Sequence, residues 1–345
     1  MSICIPTHHG RAESLRMALD SIASQLSGDL RDAVQICVSD NASRDSTAAV
    51  VEGFRAVLGD RIAYRRAPVD RGFTENLLAA VEMASGQYCW LFGSDDAIEE
   101  GGVRAVTELL RRHPEATGAT LNRLIADHKD LRSTSFDPDY ALPAEPAAEH
   151  VYRSAEDAFQ NCAFLQDYVS AQVVHRERFL AAAANLGQEG LRRAQNFPHV
   201  AVIGRMIQRD PVWLWHPTPA VRKTVGTTSF DEDSRHRFDK YQIMVVRQRA
   251  RIWGELFGRG SRLWKSVMRR AYFYGVDARS IRYYKAKPNH SLGGDLRLLV
   301  AMTREFYWLR AFWAGTMPVL LVPHPLVEPA RALQSELRRA AGPGE

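Results

Sequence analysis

The chain is poor in cysteine and has no long apolar run. Its four cysteines, Cys4, Cys37, Cys89 and Cys162, serve 345 residues and are not spaced as metal ligands. Three sit in apolar, strand-like runs, so buried reduced thiols are expected, a state that suits a cytosolic protein. No stretch reaches the ~18 apolar residues of a membrane-spanning helix. The opening residues, MSICIPTHHG, lack a basic segment leading into an apolar one, which argues against a secretory signal. Internal repeats are absent too. Where a dinucleotide-binding chain carries G-x-G-x-x-G, this one reads PTHHGRAESL, and it has no P-loop pattern. A nicotinamide or flavin dehydrogenase and a Walker-type triphosphatase are therefore disfavoured.

What remains is an ordinary globular composition, 46% apolar and 25% charged, in a chain long enough for more than one domain. The charge is uneven. Residues 241–345 hold 18 Lys and Arg against 7 Asp and Glu, a balance of +11, and the first 240 residues balance at −6. A basic C-terminal third points to an anionic partner; without a recognition motif beside the charge, nucleic acid is disfavoured.

Periodicity predicts strands over SICIPT, VQICVSD, RIAYRRA and QYCWLF, alternating with helices that carry Leu15 to Leu26, Ala49 to Val57, Leu77 to Met83 and residues 102–112. This β-α-β-α-β-α-β order predicts an open, mostly parallel α/β sheet whose ligands bind beyond the carboxyl ends of the strands. SFDPDYALPAEP reads as a junction, NFPHVAVIGRMIQR as a helix from about Pro198, WLWHP as a strand, and TVGTTSFDEDSRH as a mobile loop. Long helices follow from about Tyr241. Three regions result: 1–130, 131–235 and a basic, aromatic-rich helical region over 236–345.

One stretch stands out. WLFGSDDAIEE ends an apolar strand on Asp95 and Asp96. Adjacent like charges repel, more so when buried, unless a cation joins them. A solvated turn explains the pair equally well. Thr7 and Asp40 also fall at strand ends, which favours a shared ligand site.

SICIPTHHGRAESLRMALDSI, VSDNASRDST and GFTENLLAAVEMASGQYCWLFGSDD together resemble the donor-binding half of family 2 glycosyltransferases of the GT-A fold, in the branch of abequosyltransferase-like and other O-antigen or capsule sugar transferases. The resemblance covers residues 2–125 closely and 160–230 loosely. It implies an inverting, metal-dependent transferase, with a nucleotide-sugar donor (a UDP-sugar favoured) and Mn2+ or Mg2+. The family's strand-end motif is often Asp-x-Asp-Asp; here it reads Gly93-Ser94-Asp95-Asp96, so its first carboxylate is missing. Asp95 would hold the metal, with Asp96 assisting it or orienting the sugar beside Ser94. Pro6 and Thr7 would line the base pocket. Asp40, next to Asn41, would accept from the base or ribose, or cap the next helix. Arg11 would meet a phosphate or simply solvate a helix start. Asn76 falls where the family contacts nucleotide, and Arg222 and Lys223 where it contacts diphosphate. In NFPHVAVIGR, His199 stands where the family has a catalytic Asp, with Arg205 six residues on. A neutral imidazole can act as that base, although a histidine packed at a helix start explains the residue as well.

The resemblance implies a glycan or polyprenyl-linked acceptor and a place in the cytoplasm, peripheral to the inner face of the bacterial plasma membrane. The cationic C-terminal helices bearing Trp253, Trp264, Tyr272, Phe273, Trp308 and Trp313 suit an anionic membrane surface. They equally suit a packed subdomain or a homodimer. A soluble small-molecule acceptor, or a silent nucleotide-sugar-binding module, are the competing functions.

Overall fold

The computed structural model describes residues 1–127, 148–225, 229–285 and 291–322. The chain forms two compact units, Met1–Thr228 with Glu255–Gly258, and Ser229–Gly254 with Arg259–Glu345.

The first unit opens with β1 (Ser2–His8), α1 (Ala12–Ala23), α2 (Asp29–Ala33), β2 (Gln35–Asn41), α3 (Thr47–Leu58), β3 (Ile62–Arg66), α4 (Gly72–Glu82) and β4 (Tyr88–Leu91). It continues through β5 (Ala97–Ile98), α5 (Gly102–Arg112), β6 (Gly118–Asp127), β7 (His150–Tyr152), α6 (Ala155–Cys162), β8 (Gln172–His175), α7 (Arg176–Ala194), α8 (Pro198–Arg209) and β9 (Trp213–Val225). All run in one sheet of order β3-β2-β1-β4-β8-β6-β9-β5, with β7 on β9. The first four strands are parallel; β8 then runs antiparallel to β4 and to β6. The parallel half is the part that periodicity made plain. β5, β6 and β7 were not expected, because two are very short and Asn122 and Arg123 interrupt the apolar pattern of the third.

The helices form because their apolar residues return on one face. Leu15, Ala18, Leu19 and Ile22 of α1 are fully buried at i, i+3, i+4 and i+7, against a core that holds Ile3, Ile5, Ile36, Val38 and Trp90. Each such aliphatic side chain contributes roughly 1.5–3 kcal/mol, and Leu19→Ala would cost about 2–5 kcal/mol. Cys4, Cys37, Cys89 and Cys162 are buried free thiols. Cys4 pairs with Cys37 across β1 and β2, and burial, with hydrogen bonds to Cys37 and Cys89, pushes its thiol well up, so these cysteines pack rather than react.

The second unit contains α9 (Ser229–Phe257, whose last three residues belong to the first unit), α10 (Arg262–Gly275), α11 (Ala278–Lys285), α12 (Leu292–Phe306) and α13 (Met317–Leu321). The expected loop over TVGTTSFDEDSRH shrinks, since β9 runs to Val225 and α9 starts at Ser229. Trp253, Trp264 and Tyr272 are buried here, so they pack the subdomain instead of facing a membrane. Trp264 Nε1 donates to the Ala250 carbonyl at 3.0 Å, and Tyr272 Oη donates to the Ala311 carbonyl at 2.9 Å. Among the described residues no helix is long and apolar enough to cross a membrane.

Candidate active site

Parallel pairing fixes where the strand ends meet. Thr7 stands opposite Asp40, and His8 opposite Asn41. On the other side of β1, β4 delivers its chain to Phe92, whose N–H donates to the Cys4 carbonyl at 2.9 Å. The next four residues, Gly93 to Asp96, form a tight turn before β5.

In that turn both carboxylates fold back over Gly93. A β-carbon added to Gly93 would stand 2.9 Å from Asp96 Oδ2, 3.0 Å from Asp95 Oδ1 and 3.1 Å from Ser170 Oγ. The residue type that lacks the family motif's first carboxylate is thus the one that lets the other two converge. Two carboxylates beside one glycine are hard oxygen donors of the kind that would suit Mg2+ or Mn2+, which take few ligands from protein and the rest from phosphate and water. Among the described residues no group of three His, Cys, Asp or Glu is arranged to hold a metal.

A positive group already faces them. Arg11, 7% exposed, donates from Nη1 to Asp95 Oδ2 at 3.3 Å and from Nε to His8 Nε2 at 3.4 Å. Asp96 is 6% exposed and accepts from Ser170 Oγ, which in turn accepts from Gly93 N–H at 2.8 Å. Trp90 Nε1 pins the Ser170 carbonyl at 2.7 Å. Tyr168 is half-buried next to Asp96, with its hydroxyl out of water. Burial, then the Asp96 charge, pushes its phenol well up, and the Arg123 guanidinium lies 4.4 Å from its ring centre.

His199 is 2% exposed, near the start of α8, with Phe73 and Phe197 edge-on at 6.4 and 6.3 Å. Its Nε2 lies 3.2 Å from the Asp167 carbonyl. A carbonyl only accepts, so Nε2 carries the hydrogen and Nδ1 the lone pair. Nδ1 is buried with no hydrogen-bond partner among the described residues. Burial pulls this imidazole down to about 4, partly opposed by a backbone bond at Gln166, so it is neutral near pH 7. One short segment, 167–170, therefore anchors both His199 and Asp96, which are far apart in sequence.

Beside the carboxylates, a cleft of about 640 Å³ opens beyond β1 and β2, lined by Pro6, His8, Asn41, Arg66, Phe73 and Asn76 among others. Its size is that of a small-molecule site. His8 borders it and touches Arg11, so a guanidinium links the cleft to Asp95. Ala42, also on its wall, has φ 59°, a left-handed conformation that disfavours alanine by roughly 1–2 kcal/mol.

The other expected residues fall as follows. Thr7 is fully buried, its hydroxyl without a partner among the described residues, and its carbonyl accepts from Asn76 Nδ2 at 2.8 Å. Asn41 accepts from Arg71 N–H at 2.8 Å and donates to Asp70. Asp40 is fully buried and off the cleft lining. Ser43 N–H donates to its Oδ1 at 2.9 Å and Tyr64 Oη to its Oδ2 at 2.7 Å, with Arg66 Nε at 3.8 Å. It does not cap α3; Asp45 accepts from Thr47 N–H there. Burial, then the Asp40 bond, pushes the Tyr64 phenol up. Ser94 is 6% exposed in the turn. Arg222 clasps Glu99, with Nη2 3.1 Å from Oε2, and its strand neighbour Ala97 follows Asp96 directly. The Lys223 side chain lies outside the described residues. Arg205 is not gathered with the rest. Six residues beyond His199 it turns onto another helix face, bonds Gln208 at 3.1 Å, and lines a larger cleft of about 810 Å³ with Arg178, Arg193 and Arg209. That cleft contains none of the strand-end residues, so size alone does not mark the site. Ser170, Tyr168, Arg123, Tyr64 and Glu99 went unread in the sequence; each belongs to the site only through contacts between distant segments.

The family model described as "Glycosyl transferase family 2" matches residues 2–184. The abequosyltransferase RfbV of Salmonella typhimurium is 30% identical over 253 residues, covering 71% of this chain and 71% of that protein. A PGL/p-HBAD biosynthesis glycosyltransferase of Mycobacterium tuberculosis is 30% identical over 136 residues, 39% of this chain and 48% of its own. Among solved structures, S. aureus TarS in complex with UDP superposes with a TM-score of 0.52 at 13% identity, covering 90% of this chain and 72% of that one. The mannosyltransferase PcManGT from Pyrobaculum calidifontis, in complex with GDP-Man and Mn2+, gives 0.54 at 15% identity, covering 96% and 79%. Both share the fold with the present chain.

Proposed function

We propose that this chain, which belongs to glycosyl transferase family 2 and has its GT-A fold, moves a sugar from a nucleoside diphosphate sugar to a hydroxyl of a glycan or lipid-linked acceptor in bacterial surface polysaccharide synthesis. The similarity to an abequosyltransferase supports sugar transfer in surface glycan synthesis. Structures of the same fold hold UDP in S. aureus TarS and GDP-Man in PcManGT, which supports a nucleoside diphosphate sugar as the donor class, with a UDP-sugar the first to test. The observation that carries the reading is the meeting of Arg11, Asp95 and Asp96 at the strand ends, next to a nucleoside-sized cleft.

The nucleoside occupies the cleft between Pro6, Asn41 and Asn76, with Arg66 at its rim. Arg11 meets the diphosphate where cleft and carboxylates join. Asp40 acts at one remove, holding the Ser43 turn and Tyr64 in place. A divalent cation held by Asp95 and Asp96, Mn2+ or Mg2+, would neutralise the charge that builds on the leaving diphosphate. His199 Nδ1 takes the proton of the acceptor hydroxyl, the oxygen attacks the anomeric carbon, and the nucleoside diphosphate leaves. One displacement inverts that centre. Ser170 and Tyr168 hold Asp96, and the flanking phenylalanines exclude water from the base.

Thermal shift against a panel of nucleotides and nucleotide sugars, with and without Mn2+, tests donor and metal together. A shift with one nucleoside diphosphate sugar, enlarged by Mn2+ and lost in Asp95→Ala, is expected. No shift with any donor would end the proposal. The missing carboxylate at Gly93 favours one other reading, a binding module without turnover. Donor shifts with no transfer to any acceptor and no donor hydrolysis would support it.

A further inference from the structure

Helix α12 presents an outward face of unusual composition. Leu292, Leu296 and Val300 are 73%, 62% and 58% exposed, and Tyr307, the helix's C-cap, is 65% exposed. At 3.6 residues per turn these four, with Thr303, fall in one stripe. The opposite face carries the packing residues Leu298, Ala301, Met302 and Phe306, all fully buried. The exposed leucines are therefore not core residues that happen to show an edge.

The helix's four charges sort by sign. Both acids are turned inward and neutralised. Asp295 pairs with the fully buried Lys285 at 2.9 Å, and Glu305, 3% exposed, pairs with Arg259 at 2.7 Å. Both arginines, Arg297 and Arg304, are exposed along one edge of the stripe. Arg304 does lie 3.8 Å from Glu305, but that carboxylate is already claimed from within. Next to the helix end, Trp313 is 45% exposed and donates to the Tyr307 carbonyl at 2.7 Å. Outward, α12 thus offers aliphatic side chains, a cationic border and two aromatics. An interfacial helix needs that distribution, with apolar atoms among the acyl chains, arginines at lipid phosphates, and Tyr and Trp at headgroup depth. A soluble acidic protein would match the border and leave the leucines unexplained.

We propose that the Leu292–Leu296–Val300–Tyr307 face of α12 docks on an anionic phospholipid bilayer, with Arg297 and Arg304 at the phosphates. The face belongs to the second unit and contains none of the strand-end residues, so docking and donor binding can be tested apart.

Flotation of the full chain with vesicles is the test. Equal parts phosphatidylcholine and phosphatidylglycerol should carry the protein upward, phosphatidylcholine alone should carry far less, and raising salt from about 0.1 M to 1 M should release part of it. Arg297→Gln with Arg304→Gln should weaken binding about 30-fold. Leu296→Glu with Val300→Glu should abolish it, and Leu292→Glu alone should weaken it. Each variant's nucleotide thermal shift reports that its fold and donor site survive. Three results would overturn the proposal: no flotation of the wild type on the anionic vesicles, undiminished flotation of the glutamate variants, or a dimer in light scattering that these variants dissolve while the wild type ignores vesicles. The last result would assign the stripe to a second copy of the chain.

Discussion

Arg11 donates through Nη1 to Asp95 Oδ2 at 3.3 Å, across 84 residues of sequence. One guanidinium thus offsets part of the negative charge of the carboxylate pair, on the Asp95 side. Arg11 is nearly buried, so it cannot reach water instead. Removing it should have two opposite effects. In Arg11→Gln, donor affinity should fall about tenfold or more as the diphosphate loses its guanidinium. Free Mn2+ should bind about tenfold more tightly, because a competing cation has left Asp95. Electron paramagnetic resonance of Mn2+ without nucleotide reads the second effect independently of turnover. Unchanged Mn2+ affinity would mean that Arg11 and the metal do not share Asp95.

Gly93→Asp restores the family's missing carboxylate on paper. It should nonetheless lower kcat/KM, by about tenfold or more, since its β-carbon would crowd the Asp96 and Asp95 oxygens and Ser170. Gly93→Ala should do nearly as much harm. A gain of activity in Gly93→Asp would show that the turn opens freely and that the crowding argument fails.

Ser170→Ala removes a hydroxyl that accepts from Gly93 N–H and donates to Asp96. The buried carboxylate then loses one of its donors, at a cost of about 1–3 kcal/mol in stability. As a positioning residue, Ser170 should affect kcat and the Mn2+ dependence more than nucleotide affinity. A variant whose only defect is thermal stability would limit Ser170 to folding.

His199 gives a pH signature. Its folded value is depressed to about 4 from an ordinary 6.5. The unfolded state thus binds the extra proton first as pH falls, and stability decreases from pH 6.5 towards pH 4. The decrease should total about 3 kcal/mol and be missing from His199→Asn in denaturant titrations across that range. Transfer should also be lost in His199→Asn while the nucleotide thermal shift persists. Retained turnover would remove the imidazole from the proposed mechanism.

How much of this was legible beforehand follows from range. The first four strands and the helices between them were readable because each encodes its own periodicity, as α1 shows with Leu15, Ala18, Leu19 and Ile22. The carboxylate pair was readable too, because adjacent charges at the end of an apolar run are a local anomaly. Asp40 shows the limit. Its place at a strand end was visible, but its burial under Tyr64 was not, because that contact depends on how β3 packs. Arg205 shows it again, as correct spacing from His199 left it on a different helix face and in a different cleft.

The sequence by itself determined the parallel half of the sheet, the row of strand ends that it aligns, and the family. Only the tertiary structure decided which groups share the carboxylates. Arg11, Ser170 and Tyr168 come from three segments, and no local pattern encodes a meeting between them. Parallel strands align their ends whatever loops they carry, so the position of the candidate site was written in the periodicity. The charge and hydrogen bonds around Asp95 and Asp96 depend on long-range packing, which a single sequence specifies jointly and displays nowhere.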